Sequence, residues 1–510
     1  MKLLILFPNA TTTATVSTAV PILAGIAKHR KWELDYFDTY AYTKEGEKEA
    51  ALGKAKTGGF KQGVDLPFGH KDSSSLITDL QNKIDEIKPD IIAITCLSPE
   101  YNYLMTFWNQ IFVPKNTLVI IGGIHVTLMG NKVIQTHLFD LVVLGEGEET
   151  FDEILSRIEV GYSIDSIRGT YYLDRITKRI IKNPLRPLLP AEKLWEIERD
   201  FSFFNEDFFL RPFDGKRIRR NEIEIARGCP YHCAYCGNRS LKEFNKGLGK
   251  YVKARSIKSS IDQMKILVEK YGIDIFSFMD ECFLSHPESW LKEFMDAYKS
   301  EIDKPYLFMT RAETVNEKKI KLLLNYNIPF QPAIGVESGS DRILEEVCER
   351  SCTVDKIIPA FDILNKHKVR TNTFFIVGFP FETRFDAFKS IELCQRIKPS
   401  VSSVSIFQPY PGQKLTKVCL DMGFITENDA AGTFASDSVL DMPEPYLSKK
   451  EITNLWRVFM LYAMLPKQYH SDIEKCEKDF ENNQELFDKL VKLRWEIADW
   501  GKIKGDIKLV

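Results

Sequence analysis

Short apolar runs alternate with amphipathic stretches along most of this 510-residue chain, and that alternation limits its fold more than any single motif does. Residues 3–7, 90–95, 117–121 and 140–144 are apolar at nearly every position. Runs of that length read as strands buried on both faces. Residues 20–28 and 76–87 place their apolar side chains at helical spacing, and 33–37 reads as a further strand. Buried strands separated by helices imply a parallel sheet with helices on both faces. From Glu222 the alternation becomes regular. Candidate strands lie at 222–226, 273–279, 306–309, 330–335, 371–377 and 402–407. The helices between them carry stripes such as Ile261, Met264, Leu267 and Val268, ended by Gly272.

The remaining segments are less regular. Residues 44–74 form a polar, glycine-containing stretch. Residues 170–173 and 178–181 read as a hairpin, and 183–190, with three prolines, as an extended linker. The basic run 216–220 reads as a solvated loop just ahead of the first regular strand. From about Leu447 the chain turns helical. Ile452, Leu455, Phe459 and Tyr462 share one face, Pro466 breaks the segment, and the charged tail reads as a cap over the second sheet.

With 44% hydrophobic residues and a net charge of −2, the chain is of the globular class and has no basic excess to suggest a nucleic-acid partner. The apolar start stops at Pro8 and reads as a first strand rather than a signal sequence. No apolar run approaches the length of a membrane span. Ten cysteines, scattered apart from one loop, point to a reducing, cytoplasmic compartment rather than to a disulfide framework.

That one loop carries the chemistry. It reads Gly228-Cys229-Pro230-Tyr231-His232-Cys233-Ala234-Tyr235-Cys236-Gly237, a C-x-x-x-C-x-x-C spacing directly after a strand. Three thiolates on one tight turn can hold three irons of a four-iron, four-sulfur cluster and leave the fourth open to a small molecule. A zinc knuckle is the alternative use of such thiols.

The loop resembles the signature of the radical S-adenosylmethionine (radical SAM) enzymes. The resemblance implies that Cys229, Cys233 and Cys236 hold the cluster and that S-adenosylmethionine chelates its open iron and is cleaved there. It also makes the six β/α units a partial (β/α)6 barrel with its site at the strand carboxyl ends. Strand-end residues then take implied roles. Asp280 would meet the methionyl ammonium or else cap its turn. Arg311 would meet the carboxylate, Glu337 and Ser338 the ribose, and Tyr235, Phe407 and Gln408 the adenine. In the turn 378–383, Phe381 stands where the family more often has glycine.

The amino-terminal region is similar to the cobalamin-binding domain that precedes the barrel in a large subgroup of that family. The matching pieces are Gly122-Gly123-Ile124-His125, the acidic strand start at Asp140, and Gly145-Glu146-Gly147-Glu148. The implied cobalamin contacts are Ser98, Gly122, Gly123, His125, Gly145, Glu146 and Gly147. For His125 the alternative is a polar residue anchoring its strand end. The D-x-H-x-x-G motif that supplies a cobalt ligand elsewhere is absent, so no ligand is named, and a Rossmann-like domain kept as scaffold stays open. The expected fold is α/β: a Rossmann-like cobalamin-binding-type domain at 1–160, hairpin and linker at 161–215, the partial barrel at 216–420, and a helical region at 421–510.

The resemblance implies a cobalamin-dependent methyltransferase acting at an unactivated carbon of a small-molecule, lipid or peptide substrate. It also implies an external electron donor such as flavodoxin or ferredoxin. The alternatives are radical SAM cyclisation, rearrangement or C–H functionalisation without cobalamin, and a non-enzymatic iron–sulfur sensor. The RNA methylthiotransferases need a second, amino-terminal cysteine trio, and only Cys96 precedes Cys229.

Overall fold

The computed structural model describes residues 1–10, 17–42, 71–204, 206–213, 216–429, 431–433 and 436–497. The polar stretch expected at 44–74 lies outside the described residues up to position 70, as does the tail beyond 497.

The first sheet has seven strands: β1 (Lys2–Phe7), β2 (Glu33–Asp38), β3 (Ile91–Thr95), β4 (Leu118–Gly122), β5 (Leu141–Val143), β6 (Thr170–Leu173) and β7 (Ile180–Lys182). Their order is β2-β1-β3-β4-β5-β6-β7, parallel through β5 and antiparallel at β6 and β7. The all-apolar runs sit at its centre, where β3 is buried along its whole length. The hairpin expected at 170–181 does not stand apart but extends this sheet. Asp140 explains the docking: its carboxylate accepts from Val119 N at 2.7 Å and pairs with Arg175 at the hairpin tip.

After β8 (Leu210–Phe213), β9 (Lys216–Ile223), and the two-residue pair β10 (Ala226–Arg227) and β11 (Lys253–Ala254), the second sheet continues. Its later strands are β12 (Ile275–Phe278), β13 (Tyr306–Arg311), β14 (Phe330–Glu337), β15 (Asn372–Val377) and β16 (Val401–Ile406). The order is β16-β15-β14-β13-β12-β9-β8, parallel from β9 to β16. The six expected strands are present, and β8 adds an antiparallel edge. Their helix-facing side chains make an aromatic core, with Tyr306 stacked on Phe278 at 5.2 Å and on Phe330 at 5.7 Å.

One expectation is corrected. The basic run 216–220 is not a loop but the first half of β9, where Ile218 is buried and the flanking arginines are not. Helix Lys449–Met464 packs on the last two strands of the second sheet, with Phe459 against Phe375 and Trp456 Nε1 donating to Val404 O at 2.9 Å.

Candidate cofactor site

The cysteine loop begins at a forced turn. Gly228 has φ +87°, and a Cβ there would stand 2.6 Å from Tyr251 O. Cys233 is buried, while Cys229 and Cys236 are partly exposed. Cys236 is the N-cap of helix Gly237–Phe244, so its backbone already faces a helix N-terminus. Burial pushes the Cys229 thiol up to about 12 and the Cys236 thiol up to about 11. Both must lose a proton to bind iron, so metal loading releases protons. Among the described residues no group of three or more His, Cys, Asp or Glu side chains is placed to hold a single metal ion.

Two buried arginines back the loop. Arg311, at the end of β13, donates to Cys233 Sγ at 2.9 Å, pairs with Glu313 at 2.6 Å and lies 3.9 Å from the Tyr231 ring centre. Arg350 joins the cysteine loop to the end of β14: it donates to Tyr235 Oη at 3.0 Å, Glu337 Oε1 at 3.1 Å and Gly335 O at 2.5 Å. No spacing rule pointed to Arg350; it reaches the site from a loop with no regular pattern. Glu337 has φ +69° beside a register shift in β14. A non-glycine residue in that region costs on the order of 1–3 kcal/mol and marks functional sites. Phe381 does adopt the conformation that favours glycine, with φ +65°, and its ring packs on Phe424 and Tyr446.

Several expected contacts are engaged elsewhere. Asp280 is buried, and its Oδ1 accepts from Ile225 N at 2.9 Å and Ala226 N at 2.8 Å, while Oδ2 meets His286. Through Oδ1 it ties the ends of two strands together. Its neighbour Glu281 lines the cavity instead, its pKa raised by burial against a hydrogen bond from Asn238. Ser338 is buried and accepts from Ser340 N at 3.1 Å inside its turn. Gln408 accepts from Gly432 N at 2.9 Å and donates to Ser436 O and Asp437 O, so its amide fastens a later segment rather than facing a base. Phe407 is buried against Phe379, which in turn meets the Tyr235 ring at 5.6 Å.

On the amino-terminal side, His125 is buried, stacked on Tyr101 at 4.2 Å and 3.0 Å from Ser98 Oγ. Burial lowers its pKa to about 4. It ties the start of its own helix to helix Ser98–Phe107, and no histidine is among the residues that line the cavity. Gly123 is required by the backbone: at φ +111°, its Cβ would stand 2.3 Å from Cys96 O. At Gly147 a Cβ would meet nothing within 4 Å.

One cavity of about 770 Å³ collects both sets of strand ends. Ser98, Gly122, Gly123, Gly145, Glu146 and Gly147 form one side; Cys236, Met279 and Glu281 form the other. Its wall is mainly apolar.

The geometry therefore defines an α/β protein in which a ligand-cradling open sheet faces a cysteine loop across a shared cavity. The family model for the B12 binding domain matches residues 62–155, and that for the radical SAM superfamily matches residues 223–394. The chain thus carries a radical SAM domain preceded by a B12-binding domain. It is 25% identical over 405 residues to an uncharacterised methyltransferase of Pyrococcus horikoshii, covering 78% of this chain and 83% of that one. It is 23% identical over 435 residues to the anaerobic magnesium-protoporphyrin IX monomethyl ester cyclase of Rubrivivax gelatinosus, covering 83% and 75%. Its fold matches the solved radical S-adenosylmethionine methyltransferase TsrM from Kitasatospora setae, described with cobalamin and a four-iron cluster bound. The TM-score is 0.63 at 12% identity, over 97% of this chain and 99% of that one.

The cofactors are a four-iron, four-sulfur cluster, S-adenosylmethionine and cobalamin. The residues present fit them. Three thiols lie on one turn with a guanidinium on the buried one, and the glycine strand ends open on a broad apolar space without a Cβ in the way. Among the described residues no helix is long and apolar enough to cross a membrane, and all ten cysteines are free.

Proposed function

We propose that this chain is a cobalamin-dependent radical SAM methyltransferase that places a methyl group on an unactivated carbon, in a reducing, cytoplasmic setting. The observation that carries the reading is the shared cavity, in which Cys236 and the glycines of the first sheet line one space. When bound, the cluster with S-adenosylmethionine supplies a radical strong enough to remove an inert hydrogen, and cobalamin supplies the methyl group. The chain's own tasks are to hold, orient and exclude water. Cys229, Cys233 and Cys236 hold the cluster. Glu281 takes the ammonium role first given to Asp280, and Arg311 the carboxylate. Arg350 fixes Tyr235 and Glu337 where the ribose and adenine would lie, and Phe407 backs them through Phe379. Ser98, Gly122, Gly123, Gly145 and Gly147 form the cradle for the corrin. The apolar wall keeps water from a radical.

A second reading is a radical cyclisation in the same cavity, favoured by the cyclase relative that covers 83% of the chain. Anaerobically reconstituted holoenzyme given S-adenosylmethionine labelled at its methyl group separates the two. A labelled product from a fractionated extract supports methyl transfer. A dehydrogenated or cyclised product without label supports the second reading and overturns the first.

A further inference from the structure

Between the two sides of the cavity stands a compact ionic assembly that holds no cofactor in the reading above. Arg227 is the last residue of β10, separated from Cys229 only by the forced turn at Gly228. Its guanidinium meets Glu148 at 2.8 Å and Glu146 at 3.4 Å, both on the glycine loop of the first sheet. It also meets Glu224 at 2.8 Å on its own side. Lys253 lies opposite Arg227 in the β10–β11 pair and is almost fully buried. Its ammonium pairs with the same Glu146 and donates to Leu189 O at 2.9 Å. Leu189 N in turn donates to Glu146 Oε2 at 2.9 Å. The loop of the first sheet, the connecting segment and the strand pair leading into the cysteines are thus joined at one carboxylate. The indole of Trp195 stands within cation–π reach of Arg227, Arg199 and Arg255, at 5.5–5.8 Å.

Burial makes this assembly different from an exposed ion pair that also spans the two halves. Lys132 and Glu427 also span the halves, but both side chains are more than 60% exposed. An exposed pair is screened and contributes little. Breaking a buried pair leaves a charge without compensation, and the loop that carries it must move.

We propose that Arg227 is a positioning residue: through Glu146 and Glu148 it locks the 145–148 loop to the cluster loop, so that the corrin cradle and the cysteines are held in one fixed register. The inference rests on the two-cofactor reading above. The need is physical, because a misplacement of about 1 Å between reacting groups costs on the order of 100-fold in rate. Among the described residues the two sheets have no buried charged link at the cavity outside this assembly.

The test uses the full chain loaded anaerobically with cluster and cobalamin. Its main readout is the dipolar coupling between the reduced cluster and cob(II)alamin in the electron paramagnetic resonance spectrum. The expected result is one sharply defined coupling in the wild type and a broadened one in Arg227→Gln and in Glu148→Gln, with cluster and corrin contents unchanged. Arg227→Lys restores part of the sharpness, and the exposed control Glu427→Gln leaves it intact. In protein without cofactors, hydrogen exchange at the Leu189 amide should speed up in Glu146→Gln and in Arg227→Gln but not in the control. Glu148→Gln lies on the other side of the lock, so it tests the proposal if Arg227→Gln fails to assemble a cluster. Unchanged coupling in both variants, with unchanged Leu189 exchange, overturns the lock while the two-cofactor reading stands. A wild type that binds no corrin overturns that reading instead, and Leu189 exchange still decides whether the lock exists.

Discussion

The two glycines at the mouth of the first sheet should respond in opposite ways to a side chain. Gly147 has ordinary backbone angles, φ −87° and ψ −16°, and a Cβ there meets nothing within 4 Å. It is also the N-cap of helix Glu148–Glu159, a position where asparagine is as welcome as glycine. Gly147→Asn should therefore leave the fold within about 0.5 kcal/mol of the wild type, as surface changes generally do. Its amide projects into the space assigned to the corrin. Overpacking a fitted contact costs about 1–3 kcal/mol, which is about 5- to 150-fold in affinity. Gly123→Ala is the converse. Its φ of +111° and the Cys96 carbonyl 2.3 Å from the new Cβ make the change a backbone problem. With ψ at −179°, this backbone region is essentially glycine's alone, and its strain of about 1–3 kcal/mol adds to overpacking of about 1–3 kcal/mol. Thermal melts of cofactor-free protein and titration with hydroxocobalamin followed by absorbance give both quantities. Wild-type corrin affinity in Gly147→Asn, at full folding, would refute the placement of the corrin against this loop.

Adjacent carboxylates at the end of β12 should also separate. Asp280→Ala should lower stability by roughly 2–6 kcal/mol, since two buried backbone N–H groups lose their acceptor at about 1–3 kcal/mol each. Glu281→Gln should leave the melt unchanged and weaken S-adenosylmethionine binding in calorimetry; the reverse pattern returns the ammonium role to Asp280. Arg350→Met strands a buried Glu337 and should cost about 3–5 kcal/mol in denaturant unfolding. Adding Glu337→Gln should recover much of that, and a single variant as stable as wild type counts against the network. His125 has a folded pKa lowered by burial from 6.5 to about 4. Its contribution, roughly 3 kcal/mol, is present above pH 6.5 and lost as pH falls toward 4, because the unfolded chain takes up the proton first. His125→Gln should flatten that part of the stability profile, and an unchanged profile would show that the imidazole is not excluded from water.

What the sequence discloses follows the range of the interactions involved. The cysteine loop and the apolar strands are local patterns, and the structure places them as the spacing indicates. Which of Asp280 and Glu281 lines the cavity was not legible, because strand alternation fixes which neighbour points inward only once the strand's end is known. Gln408 read as a base contact because nothing local reveals that Gly432, Ser436 and Asp437 meet its amide. Arg350 was invisible for the same reason: its partners lie 13, 15 and 115 positions away. The basic run 216–220 looked solvated because its arginines alternate with a single buried isoleucine, a weak strand signal that the pairing with β8 and β12 completes.

Whether one chain brings S-adenosylmethionine and cobalamin together for methyl transfer can be tested without knowing the substrate. Protein reconstituted anaerobically with iron, sulfide and hydroxocobalamin is reduced, given S-adenosylmethionine, and assayed for S-adenosylhomocysteine. The expected result is one corrin and one four-iron cluster per chain, with S-adenosylhomocysteine formed only in the corrin-loaded protein. Gly147→Asn should lower the yield, and Cys229→Ala with Cys233→Ala and Cys236→Ala should abolish 5′-deoxyadenosine. A folded wild type that carries the cluster and cleaves S-adenosylmethionine to 5′-deoxyadenosine, yet retains no corrin and forms no S-adenosylhomocysteine, would contradict the two-cofactor reading.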